Sequence, residues 1–215
     1  MKAASKVLSL FVAIQLLIML SAWPISAGDP AHPSQGTALP PITLPIPKVA
    51  GEKRYLGLSG NGHFKIFQIK AKAVILRIFS LYCPICQSTA AETADLYHRI
   101  ESDPDLKGKI KLIGIGAGNT SYEVGVFKET YRIPFPLFPD EDFTIHKALG
   151  EVRTPYSLTM RIGDGAHQVV HTQSGNIAEP DQFIGLILKA CGLARNDLPE
   201  KSEDLAILPQ QPQSN

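Results

Sequence analysis

The most restrictive feature of this chain is an apolar run, Ala73-Val74-Ile75-Leu76-Arg77-Ile78-Phe79, followed within a few residues by Cys83-Pro84-Ile85-Cys86. A run of this length without polar alternation reads as a strand covered on both faces, the kind that fills the middle of a parallel sheet. Pro84 to Ile100 reads as a helix, stopped by Ser102-Asp103-Pro104. A buried strand that hands over directly to a long helix needs a layered α/β architecture, and the rest of the chain repeats the pattern. Ile110 to Ile115 is a second buried strand, ending at the turn Gly116-Ala117-Gly118-Asn119. Ser121 then caps a helix that reaches about Tyr131. Phe143 to Leu149 is a short helix. Tyr156 to Ile162 and Gln168 to His171 are strands joined at Gly163-Asp164-Gly165, and Pro180 to Cys191 is a closing amphipathic helix stopped by Gly192. His63 to Ile69 alternates loosely, as a strand can. The expected fold class is α/β: a three-layer sandwich whose mixed sheet has a parallel core and an antiparallel edge, with helices on both faces.

The ends of the chain read differently. Lys2 and Lys6 precede an apolar stretch from Val7 to Leu20, and Ile25-Ser26-Ala27 comes before Gly28-Asp29-Pro30. This is the pattern of a secretory signal peptide over residues 1–27. The alternative is an uncleaved anchor, but the run is shorter than the roughly 18–20 residues that cross a bilayer. Either way the chain is expected outside the cytoplasm, in a periplasm-like compartment where disulfides persist. Residues 28–49 hold six prolines and are expected to be an extended linker that packs little. The folded domain is expected over 50–193, and 194–215 reads as a polar, disordered tail. With a net charge of +1, there is no electrostatic case for a nucleic-acid partner.

The cysteine pair carries the chemistry. Two cysteines three apart at a helix start can come within disulfide range. The free N–H groups there stabilise a thiolate on Cys83, and Pro84 suits the first helical position. Cys86, one turn further in, is placed as the resolving thiol. A structural zinc site needs ligands the sequence does not offer in recognisable spacing. A c-type haem site needs His after the second cysteine, where Gln87 stands. Loop entropy gives a purely structural disulfide little stabilisation across so short a loop. No cofactor and no metal are expected. Gly114-Ile115-Gly116-Ala117-Gly118-Asn119 misplaces the third glycine of a dinucleotide fingerprint and reads as a strand-end turn. Cys191 falls on the apolar side of its helix with Phe183 and Ile187, as a buried, inert thiol would; a third redox cysteine is the sharper alternative. His167 and His171 are expected at the surface.

On the strand Val74–Phe79, the Cys83/Cys86 motif and the downstream run Val152-Arg153-Thr154-Pro155-Tyr156, residues 50–193 resemble the thioredoxin superfamily. The likeness is to its redoxin group, which includes TlpA- and ResA-like extracytoplasmic thiol reductases and peroxiredoxins. The resemblance implies that Pro155 is a cis-proline facing the cysteines and that Thr154 offers its backbone to a substrate chain. Tyr82 then takes the place of a common tryptophan beside the substrate. Three positions depart from the pattern: Arg77 stands where thioredoxins bury an acid, Thr89 stands where ResA-like proteins have Glu, and Tyr82 replaces Trp. Arg77, if aimed at Cys83, would lower its pKa; the competing reading sends its guanidinium to solvent or to an acid. Glu92, on the motif helix, is a candidate proton carrier.

The implied activity is disulfide exchange with exported proteins, with Cys83 attacking and Cys86 resolving. A membrane-bound thiol donor or acceptor is the implied electron partner, and reduction is the favoured direction. A peroxiredoxin-like peroxidase is the first alternative: Ser80 and Arg153 match its motif positions, although Leu76 replaces the opening proline. A Sco-like copper-binding chaperone is the second.

Overall fold

The computed structural model describes residues 33–163 and 167–194. The expected signal peptide, the tip of the turn at Gly163-Asp164-Gly165 and the tail beyond Ala194 lie outside the described residues. In chain order the elements are β1 (Thr43–Pro45), α1 (Ala50–Leu56), β2 (His63–Lys65), a 3-10 turn (Ile66–Gln68), β3 (Ala73–Phe79), α2 (Pro84–Ser88) and α3 (Ala90–Ser102). They continue with β4 (Ile110–Ala117), α4 (Ser121–Thr130), β5 (Leu137–Asp140), α5 (Thr144–Ala148), β6 (Tyr156–Arg161), β7 (Gln168–Ser174) and α6 (Pro180–Cys191).

The main sheet has the order β5-β4-β3-β6-β7. β3, β4 and β5 run parallel, and β6 and β7 add an antiparallel hairpin. The centre is β3, all seven of whose residues are buried, six of them apolar and the seventh Arg77. Its side chains alternate between two cores. Ala73, Ile75 and Phe79 join Leu96, Phe127, Phe183 and Ile187 under the helices α3, α4 and α6. Val74, Leu76 and Ile78 face the opposite way, against Ile42, Leu44, Leu56, Phe64 and Leu149. Arg77 has the parity of the first set, so the period of the strand turns a guanidinium toward the layer that carries the cysteine motif.

Several elements differ from the sequence-based expectation. Residues 28–49, expected as a linker, belong to the folded unit from Pro33 on. Gly36 N donates to Val169 O at 2.8 Å and Val169 N donates to Thr37 O at 2.9 Å, so the segment runs along the outer edge of β7. It then pairs through β1 with β2, burying Leu44 to 1% exposure. Prolines are tolerated here because an edge segment leaves some N–H positions unpaired, while Ile42 and Leu44, two apart, point inward together.

The region 63–69 is a three-residue strand followed by a 3-10 turn rather than one strand. The motif helix is two helices meeting at Thr89 (φ −98°, ψ 5°). The cap of α4 is Thr120, whose hydroxyl accepts from Glu123 N, in a reciprocal capping box with Glu123. Strand β5 was not anticipated; its Pro139 is tolerated because β5 is an edge. Neither was α1, whose Tyr55 hydroxyl accepts from Leu112 N at 2.8 Å and so satisfies β4 where β5 does not reach.

Candidate active site

Cys83 is the N-cap of α2, in extended backbone (φ −90°, ψ 111°), with Pro84 as first helical residue. Its sulfur accepts a hydrogen bond from Cys86 N at 3.2 Å and lies 3.5 Å from the Thr154 carbonyl oxygen. The Thr154–Pro155 peptide bond is cis, and Pro155 is buried at the start of β6. Strand β6 pairs with β3, which carries the motif loop, so the sheet itself brings Thr154 to the cysteines across 71 positions of sequence. All three cysteines are free thiols.

The two thiols of the motif differ in environment. Partial burial pushes the Cys83 thiol up. Hydrogen bonds with the Cys86 and Thr154 side chains and with the Cys86 and Ile85 N–H groups outweigh it, leaving Cys83 below the ordinary thiol range. Cys86 is 3% exposed; burial pushes its thiol up to about 12, with the hydrogen bond and charge of Cys83 adding in the same direction. The outer thiol is therefore the better candidate for a thiolate, and the inner one the poorer.

The loop between β3 and α2 is braced by residues the sequence reading did not single out. Leu81 N donates to Asn119 Oδ1 at 2.8 Å, and Leu81 O accepts from Gln87 Nε2 at 2.7 Å. Asn119 is fully buried. The glycine-rich turn that ends β4 thus does more than reverse the chain; it delivers an amide to the motif loop. Tyr82 is 68% exposed and donates its hydroxyl to Glu123 Oε1. That bond holds the Tyr82 hydroxyl above its usual pKa and Glu123 below the usual carboxylate range. The spacing Thr120-x-x-Glu123 is a capping-box signal readable in sequence, and Glu123 is the residue it would have found.

An open groove of about 510 Å³ runs past Cys83, with Tyr82, Phe143, His146, Arg153 and Thr154 among its walls. Ser80 also lines it. Arg153 is exposed, and the Cys83 sulfur accepts from Cys86 N and donates to Thr154 O rather than bonding Arg153.

Behind the motif, Arg77 is 4% exposed. Its guanidinium donates from Nη1 to Ser157 Oγ and to Gly175 O, both at 2.8 Å, with Thr89 Oγ1 3.5 Å from Nη2. It is buried from solvent and, among the described residues, makes no hydrogen bond or ion pair with a carboxylate, contrary to the competing reading of this residue. Burial lowers its pKa to about 10, while the charges of Cys86, Glu92 and Cys83, in that order, hold it up. Glu92 is half-buried on α3, and its Oε2 is buried without a hydrogen-bond partner. A small cavity of about 20 Å³ lies here, lined by Arg77, Cys86, Thr93 and Pro155 among others.

Cys191 is buried in the helical core, and burial raises its pKa. His167 and His171, expected at the surface, are half-buried: His167 stacks on Phe67 at 4.6 Å between ring centroids and His171 meets Phe183 edge-on at 5.4 Å. Among the described residues no group of three or more His, Cys, Asp or Glu side chains is placed to hold a metal ion, and no helix is long and apolar enough to cross a membrane.

The model of the AhpC/TSA family matches residues 36–183. No curated protein matches the chain. Among solved structures, a protein described as thiol:disulfide interchange protein DsbE, from Chlorobium tepidum, superposes with a TM-score of 0.56 at 16% identity, covering 75% of this chain and 100% of the other. A protein described as a protein disulfide isomerase, from Bacteroides thetaiotaomicron, gives 0.53 at 15% identity, covering 75% and 90%. A thioredoxin family thiol:disulfide interchange protein, also from Chlorobium tepidum, gives 0.50 at 17% identity, covering 75% and 99%. At such identities the likeness carries the fold, which is thioredoxin-like.

Proposed function

Because the chain belongs to the AhpC/TSA family and pairs two unequal thiols at a helix start, we propose that it is an extracytoplasmic thiol–disulfide oxidoreductase acting on exported proteins. The observation that carries this reading is the placement of the Cys83 sulfur, bonded to Cys86 N and 3.5 Å from the Thr154 carbonyl, at the floor of an open groove. In the proposed reaction the Cys83 thiolate attacks one sulfur of a substrate disulfide. A Cys83–substrate bond forms, and the other substrate sulfur leaves as a thiolate that takes up a proton. Cys86 then loses its proton and attacks the Cys83 sulfur, forming the Cys83–Cys86 disulfide and releasing the second substrate thiol. Two electrons pass to the substrate, so turnover needs a thiol donor, and outside the cytoplasm that donor is membrane-bound.

Thr154, Pro155 and Tyr82 are the proposed substrate contacts. Thr154 and Tyr82 line the groove next to the sulfur, and Pro155 packs behind them. Residues 1–27 are proposed as a cleaved export signal and 194–215 as a polar tail, with periplasmic location following from the former. The peroxidase reading is less well supported, because Arg153 and Ser80 share the groove but the sulfur accepts its hydrogen bond from Cys86 N and faces the Thr154 carbonyl.

The test is a quenched peptide with one disulfide, supplied with the chain and dithiothreitol. Faster opening than with dithiothreitol alone, abolished by Cys83→Ser, is expected. Absence of any acceleration, or consumption of hydrogen peroxide at a higher rate than peptide opening, would overturn the assignment. Intact mass from an exporting host, beginning near Gly28, is the matching check on export.

A further inference from the structure

The chain buries a cation immediately behind its dithiol, an arrangement the exchange chemistry does not itself require. Burying a guanidinium without an ion-paired carboxylate is costly, and a neutral residue would fill the site more cheaply. Arg77 is fixed there by two bonds from Nη1, to Ser157 Oγ and Gly175 O, with Thr89 near Nη2. The cavity that Arg77 shares with Cys86, Thr93 and Pro155 lies on the thiol side. On the other helix of the motif, Glu92 buries an oxygen that accepts no hydrogen bond. Cys83, Cys86 and Glu92 are the titratable groups whose charges reach Arg77.

Resting on the dithiol reading above, we propose that Arg77 and Glu92 are opposed positioning charges that set the redox direction of the Cys83–Cys86 pair. The oxidation is the balanced exchange in which the dithiol and glutathione disulfide give the protein disulfide and two molecules of glutathione. Negative charge develops on sulfur only in the dithiol form. The Arg77 cation therefore stabilises the dithiol and makes the protein a stronger oxidant. The Glu92 carboxylate opposes it and favours the disulfide. Both act through space on the thiols and neither touches substrate. The local hydrogen bonds to Cys83 are its stronger influences, so the effect expected of either charge is modest.

The experiment equilibrates the full chain and its Arg77→Met, Arg77→Lys and Glu92→Gln variants with glutathione buffers. The fraction of Cys83–Cys86 disulfide is read by alkylation and mass, and the pH profile of Cys83 alkylation is recorded alongside. Arg77→Met should shift the equilibrium toward disulfide by about three- to tenfold, tenfold being about 30 mV for a two-electron couple. It should also move the alkylation profile to higher pH. Glu92→Gln should shift both in the opposite sense, by about threefold, and Arg77→Lys should stay within about twofold of wild type. Shifts of Arg77→Met and Glu92→Gln in the same direction, or none beyond twofold, would overturn the proposal. Should Arg77→Met fail to fold, Glu92→Gln decides alone: movement toward dithiol supports the proposal, and no movement or the reverse overturns it. A wild-type chain with no reversible titration would instead defeat the oxidoreductase reading itself.

Discussion

Cys83 and Cys191 stand at opposite ends of helices, and the contrast between them shows how the fold gives two thiols different environments. Cys83 precedes the first turn of α2, where backbone N–H groups are still free to donate, and its sulfur takes one of them. Cys191 is the last residue of α6, a twelve-residue helix whose terminal carbonyls carry partial negative charge. Hydrogen bonding brings the Cys83 thiol below its ordinary range, whereas burial raises that of Cys191. Cys86 falls between them in sequence but behaves like Cys191, because a single helical turn carries it from groove to core. Position relative to a helix start separates the thiol whose pKa is lowered from the two whose pKa values are raised.

The largest effect that can break this comparison is removal of the nucleophile. Cys83→Ser should reduce exchange to the uncatalysed level and trap no substrate, while Cys86→Ser should accumulate mixed disulfides visible on non-reducing gels. Mixed disulfides in the Cys83→Ser variant would place the nucleophile at the wrong thiol.

The pH dependence sharpens the same contrast. Because the Cys83 pKa is depressed and those of Cys86 and Cys191 are raised, alkylation of the reduced chain should rise with pH and level off first at Cys83. Cys86 should still be rising at pH 10. Each unit of separation is about tenfold in thiolate fraction, so site-resolved mass spectrometry near neutral pH should find Cys83 labelled far ahead of the other two. Equal rates would remove the asymmetry on which the account rests.

A smaller effect is expected from loosening the loop that presents Cys83. Asn119→Ala leaves the part-buried Leu81 N without its partner, a loss of about 1 kcal/mol, measurable by urea unfolding. Exchange should fall as well, since the loop is no longer pinned to the end of β4. Retained stability and activity would show that the brace is dispensable. The smallest effect belongs to Cys191→Ala, which should cost about 1 kcal/mol of packing and leave exchange and Cys83 alkylation unchanged. A loss of exchange there would promote Cys191 from core residue to participant.

Much of this was legible in the sequence where periodicity and chemistry agreed. The β3–motif–helix passage, the hairpin of β6 and β7 and the closing helix Pro180–Cys191 follow from apolar pattern and breakers. Pro155 was reached through resemblance, because nothing local distinguishes it from the other prolines. What escaped depends on tertiary placement. Proline density in 28–49 reads as an extended linker, yet Ile42 and Leu44 gain a core only when β7 and β2 are beside them. β5 is too short and too rich in proline to read as a strand, and it exists because β4 offers it a parallel edge. Asn119 looked like an ordinary turn residue, since its amide meets Leu81 only after β3 and β4 are paired. Arg77 could be assigned a face from strand parity, but whether that face led to solvent or to the dithiol depended on helices distant in sequence.

The proposed function requires Cys83 and Cys86 to form one reversible redox pair. The most direct test is to equilibrate the full chain across a series of glutathione buffers, quench with an alkylating agent and map every cysteine by mass. A single two-electron transition is predicted, in which Cys83 and Cys86 lose their thiols together to an intramolecular disulfide while Cys191 stays alkylated throughout. A disulfide involving Cys191, or lasting glutathione adducts on Cys83 with Cys86 still free, would contradict it.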